Sequence, residues 1–199
     1  GVQTCALPIY MPQNVTGETE LRNLAAIPYQ IISPANNSPI IGIYQDSMLG
    51  SYRITRSNID FSHRDAMNLL MAYKSVDTSK FSDKKSKISS FEVLSQILPA
   101  FTAKYKTKLF EDNEDAEISN NVLEIRNGKY VRGQIEKSVL GSSTKGIIHR
   151  ICNDFGNMVA SNFIDDLQNI VTEYMKKSSF SVGVSDLIAD RKTNAEIIQ

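Results

Sequence analysis

The stretch FGNMVASNFIDDLQNIVTEYMKK sets Phe155, Val159, Phe163, Leu167, Val171 and Tyr174 on one helical stripe, with charged and amide side chains around the rest. That period predicts a long amphipathic helix, whose apolar stripe has to be covered by other elements. It is the strongest demand this chain makes on its own fold. A shorter helical segment, KGIIHRICN, precedes it and is placed to pack against it. After it, FSVGVSDLIAD reads as a glycine-containing turn leading into a further segment.

Upstream, the predicted elements are short and mixed. NVTGETELRNLAAIP reads as a helix from near Thr16 that buries Leu21, Leu24 and Ala25 and stops at Pro28, and YQIISP follows as an extended segment. In NNSPIIGIYQDSMLG, Asn37 to Pro39 signal a turn and Ile40 to Tyr44 a strand, with Gly42 marking a close backbone approach and Gly50 closing the unit. HRDAMNLLMAY carries Ala66, Leu69, Leu70 and Tyr73 at helical spacing, and SVDTSKFSDKKSKISS after it is a polar, exposed connection. SFEVLSQILP reads as a helix capped by Ser90 and stopped by Pro99, with Phe91, Val93, Leu94, Ile97 and Leu98 as its apolar set. EDNEDAE is acidic and loop-like. In NVLEIRNGKYVRGQIE the Asn127-Gly128 pair between two short strands predicts a type I′ hairpin, because both turn residues must tolerate positive φ. The fold class expected is α+β: short helices and short strands with a β-hairpin, then a helical segment built on the long amphipathic helix.

Bulk properties exclude several function classes. The 199 residues are 41% hydrophobic and 22% charged, which is globular composition. Lys and Arg number 22 against 22 Asp and Glu, so no global basic field marks a self-sufficient nucleic-acid binder. No run approaches the roughly 18 to 20 apolar residues of a membrane-crossing helix. The opening GVQTCALPI lacks the basic and apolar regions of a signal peptide and resembles the translation of a sequencing adapter joined to the reading frame at about Tyr10. Residues 1–10 are therefore expected to be a non-native tail, the competing reading being a poorly ordered natural N-terminus. With Cys5 set aside, Cys152 remains, which fits a reducing compartment without a disulfide framework. One cysteine with His63 and His149 far apart in sequence cannot make a tetrahedral zinc site.

A self-contained active site does not emerge. Nucleophile elbows, phosphate loops, HExxH and paired-cysteine motifs are missing. GSSTKG, Gly141 to Gly146, has glycines, hydroxyls and a lysine before a helix, yet Gly146 follows Lys145 where a phosphate loop needs Ser or Thr; anion binding and a plain helix-capping loop both stay open there. Asp46 beside Gln45, at the end of the expected strand, is either functional or a cap for the following turn. Asp165 and Asp166 fall on the polar face of the long helix and read as solvated.

Three blocks carry a resemblance. MPQNVTGETELRNLAAIPYQIISPANNSPIIGIYQDSMLGSYRIT resembles the segment that follows the aspartate-rich catalytic loop in the largest subunit of multisubunit DNA-directed RNA polymerases. The elements are Met11-Pro12-Gln13-Asn14, an acid-rich helix from about Glu18, Ile32-Ser33-Pro34 and Pro39 to Asp46. NGKYVRGQIEKSVLGSSTKGIIHRI is similar to the family's hairpin and the string after it, through Gly133, Lys137, Gly141, Ser142, Ser143, Gly146 and His149. FSVGVSDLIAD matches through Phe180, Ser181, Gly183, Asp186 and Asp190. The blocks come in family order and cover nearly everything after Tyr10; one departure is Lys145-Gly146 where the family has paired glycines. The eukaryotic, archaeal and large-DNA-virus branch fits better than the bacterial one, and the shortened connection between blocks suggests a viral or divergent form.

The resemblance implies a pore region over residues 11–152 and the start of the funnel over residues 153–199, walling the channel by which nucleotides reach the active centre. It implies two-metal nucleotidyl transfer with Mg2+. The metal-binding aspartates of the family lie in an N-A-D-F-D-G-D loop upstream of Met11, so no catalytic, cofactor or metal residue is assigned in this chain, and the chain by itself is expected to be inactive. Gln45, Asp46 and Lys137 are the candidate pore-lining residues; a cation beside a triphosphate channel favours passage, the alternative for Lys137 being a surface lysine at a strand end. Gly128, Gly133, Gly141, Gly146 and Gly183 are read as turn and cap glycines. Implied partners are the second-largest subunit, other polymerase subunits, DNA template, RNA and nucleoside triphosphates, with no membrane. The implied location is intracellular: nucleus, or cytoplasm or virion for a viral form. Two other classes stay open on the residues alone: a structural or interaction module that kept this fold without catalysis, and a small hydrolase, for which nucleophile and base partners are missing.

Overall fold

The computed structural model describes residues 11–81, 87–111, 113, 115–190, 193 and 197. The stretch read as an adapter tail, residues 1–10, and part of the Ser-Lys-rich connection lie outside the described residues. Described are seven α-helices and three small antiparallel sheets, an α+β fold as expected.

Helix α1 (Val15–Asn23) starts at Asn14, whose backbone is extended and whose side-chain oxygen accepts the Gly17 N–H at 2.7 Å. It buries none of its residues, and Leu24 (67% exposed) and Ala25 just past it are exposed as well, contrary to the expectation for Leu21, Leu24 and Ala25. Pro28 opens a 3-10 turn, Ile27–Gln30, rather than ending the helix. Strands β1 (Ile32–Ser33) and β2 (Ser38–Pro39) pair across a turn in which Asn37 takes φ 51°. The strand expected from Ile40 to Tyr44 does not form. Gly42 instead passes 3.3 Å (to an ideal Cβ) from Ile148 Cδ1, and the backbone turns directly into helix α2 (Gln45–Ile54).

Strand β3 (Asp60–Phe61) precedes α3 (His63–Leu69), which Ser62 caps, and pairs with β4 (Ile88–Ser89). Helix α4 (Ser90–Ser95) is capped by Ser89, one residue before the one expected. The reason is Glu92: it sits three residues after Ser89 and accepts that residue's N–H at 3.2 Å, completing a capping box, while Ser90 is buried. The third sheet has order β5 (Ala103–Lys106), β6 (Val122–Arg126), β7 (Lys129–Arg132). Asn127 (φ 46°) and Gly128 (φ 75°) make the hairpin turn between β6 and β7. Gly133 leaves β7 at φ 91°, and a Cβ there would meet Leu123 N at 2.6 Å, so only glycine fits. Glu124, 7% exposed in β6, accepts from Arg126 Nε at 2.6 Å and from Arg132 Nε at 2.9 Å. Those two guanidiniums, Arg126 first, hold its carboxyl below the usual carboxylate range.

Three helices complete the fold: α5 (Lys137–Leu140), α6 (Ile147–Phe155) and α7 (Asn157–Lys177). Gly156, at φ 90°, separates the last two. The long helix thus begins after Phe155, which closes α6 and stands 37% exposed, as does Val159. From there on the expected stripe is buried: Phe163, Leu167, Val171 and Tyr174, joined by Ala160, Ile164 and Ile170. Helix α7 packs on α6, α2 and α3, and this apolar core runs on through α4 to the third sheet. The division between residues 152 and 153 falls inside α6.

The α2–α7 contact passes through Gly50. Gly50 does not close a unit; it is buried in mid-helix, where an added Cβ would lie 2.8 Å from Met175 Cγ and collide with Val171 Cγ1. Alanine in an exposed helix is about 1 kcal/mol better than glycine. At this position overpacking reverses the sign, and Gly50→Ala is expected to destabilise by about 1–3 kcal/mol in urea unfolding. A gain in stability would show that the two helices do not touch there.

Candidate functional site

Gln45 and Asp46 do not end a strand; they are the first two residues of α2. Tyr44, the N-cap, is extended and donates no side-chain cap, and Gln45 adopts φ 50°, a left-handed conformation that non-glycine residues occupy at a cost of about 1–3 kcal/mol. Asp46 carries its charge in the first turn, where the helix dipole favours an anion. Both side chains are exposed.

What holds this end of α2 comes from distant sequence. The Tyr44 hydroxyl shares a 3.0 Å hydrogen bond with Ser142 Oγ, in the loop Gly141 to Gly146. Loop and α5 are folded tightly together: a Cβ on Gly146 would lie 2.7 Å from Val139 O, and one on Gly141 2.5 Å from Lys137 O. Gly146 is the N-cap of α6, on which His149 Nε2 approaches Asn37 Oδ1 at 3.4 Å. The turn after β1, the start of α2, the loop and the first turn of α6 therefore meet in one place.

A polar stripe runs down the inner side of α2. Ser47 Oγ accepts from Gln168 Nε2 of α7 at 2.7 Å, and the Ser51 hydroxyl donates to Ser47 O at 2.7 Å. Thr55, fully buried just past the helix, donates to Ser51 O at 2.8 Å and accepts the Ile135 N–H at 3.0 Å. Arg53 donates to Ser178 O and Ser179 O at 2.7 and 2.9 Å, with its guanidinium 5.9 Å from the Phe180 ring centroid. Helix α2 is thus tied at one end to the loop after α5 and at the other to the exits of β7 and α7.

Lys137 is the first residue of α5, not a strand-end lysine, and is exposed. Its neighbour Glu136, the N-cap, accepts the Lys108 N–H at 3.0 Å and the Ser138 hydroxyl. Among the described residues no hydrogen bond or ion pair joins Lys137 to Gln45 or Asp46; what relates them is the shared scaffold of α2, α5 and the loop. Gly183 caps a 3-10 turn, Val184–Leu187, its N–H donated to Asp186 Oδ2 at 2.9 Å. Among the described residues no group of three or more His, Cys, Asp or Glu side chains is arranged to hold a metal ion. No described helix is long and apolar enough to cross a membrane.

Sequence reasoning missed Tyr44, Ser142, Thr55 and Arg53 as partners across the site. The Ser47, Ser51, Thr55 spacing of four residues was the one local signal, since hydroxyls at that interval line one helix face.

Comparison with known proteins gives this arrangement its family. The family described as RNA polymerase Rpb1, domain 3, matches residues 30–187, from the 3-10 turn before β1 to Leu187, and the chain belongs to this family. It is similar to DNA-directed RNA polymerase II subunit RPB1-B of Trypanosoma brucei brucei, 29% identical over 187 residues, covering 93% of the chain and 10% of that protein. It is also similar to DNA-directed RNA polymerase subunit 1 of Acanthamoeba polyphaga mimivirus, 29% identical over 189 residues, covering 95% of the chain and 12% of that protein. The chain spans about a tenth of the length of these curated relatives. The resemblance to the largest polymerase subunit holds, and its eukaryotic and large-virus side is represented.

The Thr55–Ile135 hydrogen bond is the buried polar tie between α2 and the segment leading to Lys137. Thr55→Val keeps the shape and removes the acceptor, which leaves the Ile135 N–H unpaired at an expected cost of about 1–3 kcal/mol. Urea unfolding reads the loss and amide exchange at Ile135 reads its place; unchanged values for both would show that this hydrogen bond does not hold α2 to Ile135.

Proposed function

We propose that this chain is the part of a DNA-directed RNA polymerase largest subunit that stands behind the catalytic loop and walls the nucleotide channel. On this reading residues 11–152 form the pore region and residues 153–199 begin the funnel, the two sharing one core through α6 and α7. The whole subunit, with its partner subunits, DNA template and RNA, makes RNA from nucleoside triphosphates inside the cell, in the nucleus or in a viral compartment. Mg2+, when bound, supplies activation of the RNA 3′ hydroxyl and stabilisation of the leaving pyrophosphate. Its ligands belong outside this chain, and no step is assigned to a metal here.

The observation that carries the proposal is the family match over residues 30–187 together with the mounting of Gln45 and Asp46. Those two exposed polar residues sit on a helix end fixed by a strained backbone and by Tyr44 and Ser142. A rigid polar rim of this kind suits a passage for hydrated, charged substrates. Lys137 contributes a cation, which raises the local concentration of triphosphates. Asp46 balances it, so that nucleotides are attracted without being retained.

The test uses a polymerase assembled with a largest subunit that carries this segment. Lys137→Ala is expected to raise KM for nucleoside triphosphates roughly three- to tenfold, with kcat within about twofold, as loss of uniform electrostatic attraction requires. The increase shrinks at high salt because the interaction is screened. An unchanged KM at low salt would take Lys137 off the channel wall. The isolated 199-residue chain is expected to incorporate no nucleotide.

A further inference from the structure

The turn between β6 and β7 is held from outside its own hairpin. A two-residue turn leaves the N–H groups of both turn residues outside the ladder, where water ordinarily takes them. Here both are taken by the segment that follows α4: the Asn127 N–H is donated to Thr102 Oγ1 at 3.1 Å and the Gly128 N–H to Phe101 O at 3.0 Å. Gly128 is buried under that segment, where an added Cβ would lie 3.0 Å from Pro99 O and 3.2 Å from Leu98 O. Asn127 is exposed, and its carboxamide makes no hydrogen bond among the described residues.

Asn127-Gly128 is the one Asn-Gly pair in the sequence. In such a pair the glycine nitrogen can attack the asparagine carboxamide, because no side chain on the second residue stands in the way. The nitrogen gives its proton to a solvent base and bonds to the carboxamide carbon, closing a five-membered succinimide, while the carboxamide C–N bond breaks and ammonia leaves with the proton. Water then adds to one of the two ring carbonyls. Opening at the side-chain carbonyl leaves aspartate; opening at the main-chain carbonyl leaves isoaspartate, whose backbone runs through the side chain and is one carbon longer. In the closed turn the attacking nitrogen is bonded to Phe101 O and shut away from base, and the packing of Gly128 against Leu98 and Pro99 leaves no room for a ring. The reactants are adjacent, and the fold keeps them apart.

We propose that Asn127 is a site of spontaneous modification gated by the 98–102 segment, silent while that segment holds the turn and converted when it lets go. The two products then part company. Aspartate keeps the backbone, suits the same kind of turn, and places its carboxylate in a hollow that Asn127 lines together with Lys104, Arg126 and Arg150, so the hairpin closes again. Isoaspartate adds a backbone atom between Arg126 and Lys129, which pair across the turn, so the hairpin cannot close in its register. Each isoaspartate is a lasting record of one opening. This goes beyond the channel reading and is independent of it, since it uses none of Gln45, Asp46 or Lys137.

The test incubates the 199-residue chain at mildly alkaline pH, with and without urea, and follows residue 127 by peptide mapping and mass spectrometry, which separates the aspartate and isoaspartate products. Conversion in buffer is expected to be about a hundredfold slower than in urea, since it proceeds only from the opened turn. Thr102→Val, an exposed substitution that removes the acceptor for the Asn127 N–H, is expected to speed conversion in buffer about three- to tenfold and to leave the rate in urea unchanged. Amide exchange at Gly128 should quicken by the same factor. After return to buffer, the Asn127→Asp variant should protect the Gly128 amide as the parent chain does, and the purified isoaspartate form should not. Equal rates with and without urea, a Thr102→Val rate in buffer that does not move with Gly128 exchange, or an isoaspartate form that regains protection at Gly128 would each overturn the proposal.

Discussion

The missing side chain at Gly50 is the constraint on which the rest of this fold depends. Only hydrogen at that position lets α2 close on Val171 and Met175 of α7. Close approach brings Ser47 within 2.7 Å of Gln168 and sets Ser51 and Thr55 inside the core, where their hydroxyls pair with carbonyls of their own helix. Buried hydroxyls without such partners would cost stability, so glycine and the hydroxyl stripe belong to one solution.

From that contact the candidate site follows by geometry. Helix α2 is short, and both of its ends are tied to segments far away in sequence: Tyr44 to Ser142, Thr55 to Ile135, Arg53 to the exit of α7. The strained Gln45 is therefore presented on a scaffold that over-determines it, which is the circumstance in which backbone strain persists. The helix that displays Gln45 and Asp46 is the same one that holds the start of the segment around Phe180. In the polymerase reading, channel wall and funnel entrance share a strut.

How much of this was legible in the sequence varied with how local the cause was. The Asn127-Gly128 turn needs two positive φ values and nothing else, so it could be read directly. The stripe of α7 was legible from Phe163 to Tyr174 because burial there follows the helical period; its start was not, since Gly156 breaks the pattern while Phe155 keeps it in register. IIGIY has strand composition yet finds no strand partner, and that is a tertiary fact. The same kind of fact leaves α1 with exposed leucines and turns Gly50 from a stop signal into a packing contact. Strand β5, AKYK, has little apolar character of its own and is recruited by pairing with β6. The candidate residues came from family resemblance, whereas the hydrogen bonds that position them came from the fold.

Helices α2 and α7 and the third sheet share one apolar core, so that what lines the site and what leaves α7 open as one body. Native-state hydrogen exchange at increasing urea tests it most directly. The slowest amides of α2 (Ser51 to Ile54), β6 (Leu123 to Ile125) and α7 (Leu167 to Val171) are expected to converge on one opening free energy with one denaturant dependence. Opening of α7 at lower free energy than the sheet, as a separate unit dividing near Gly156, would contradict it.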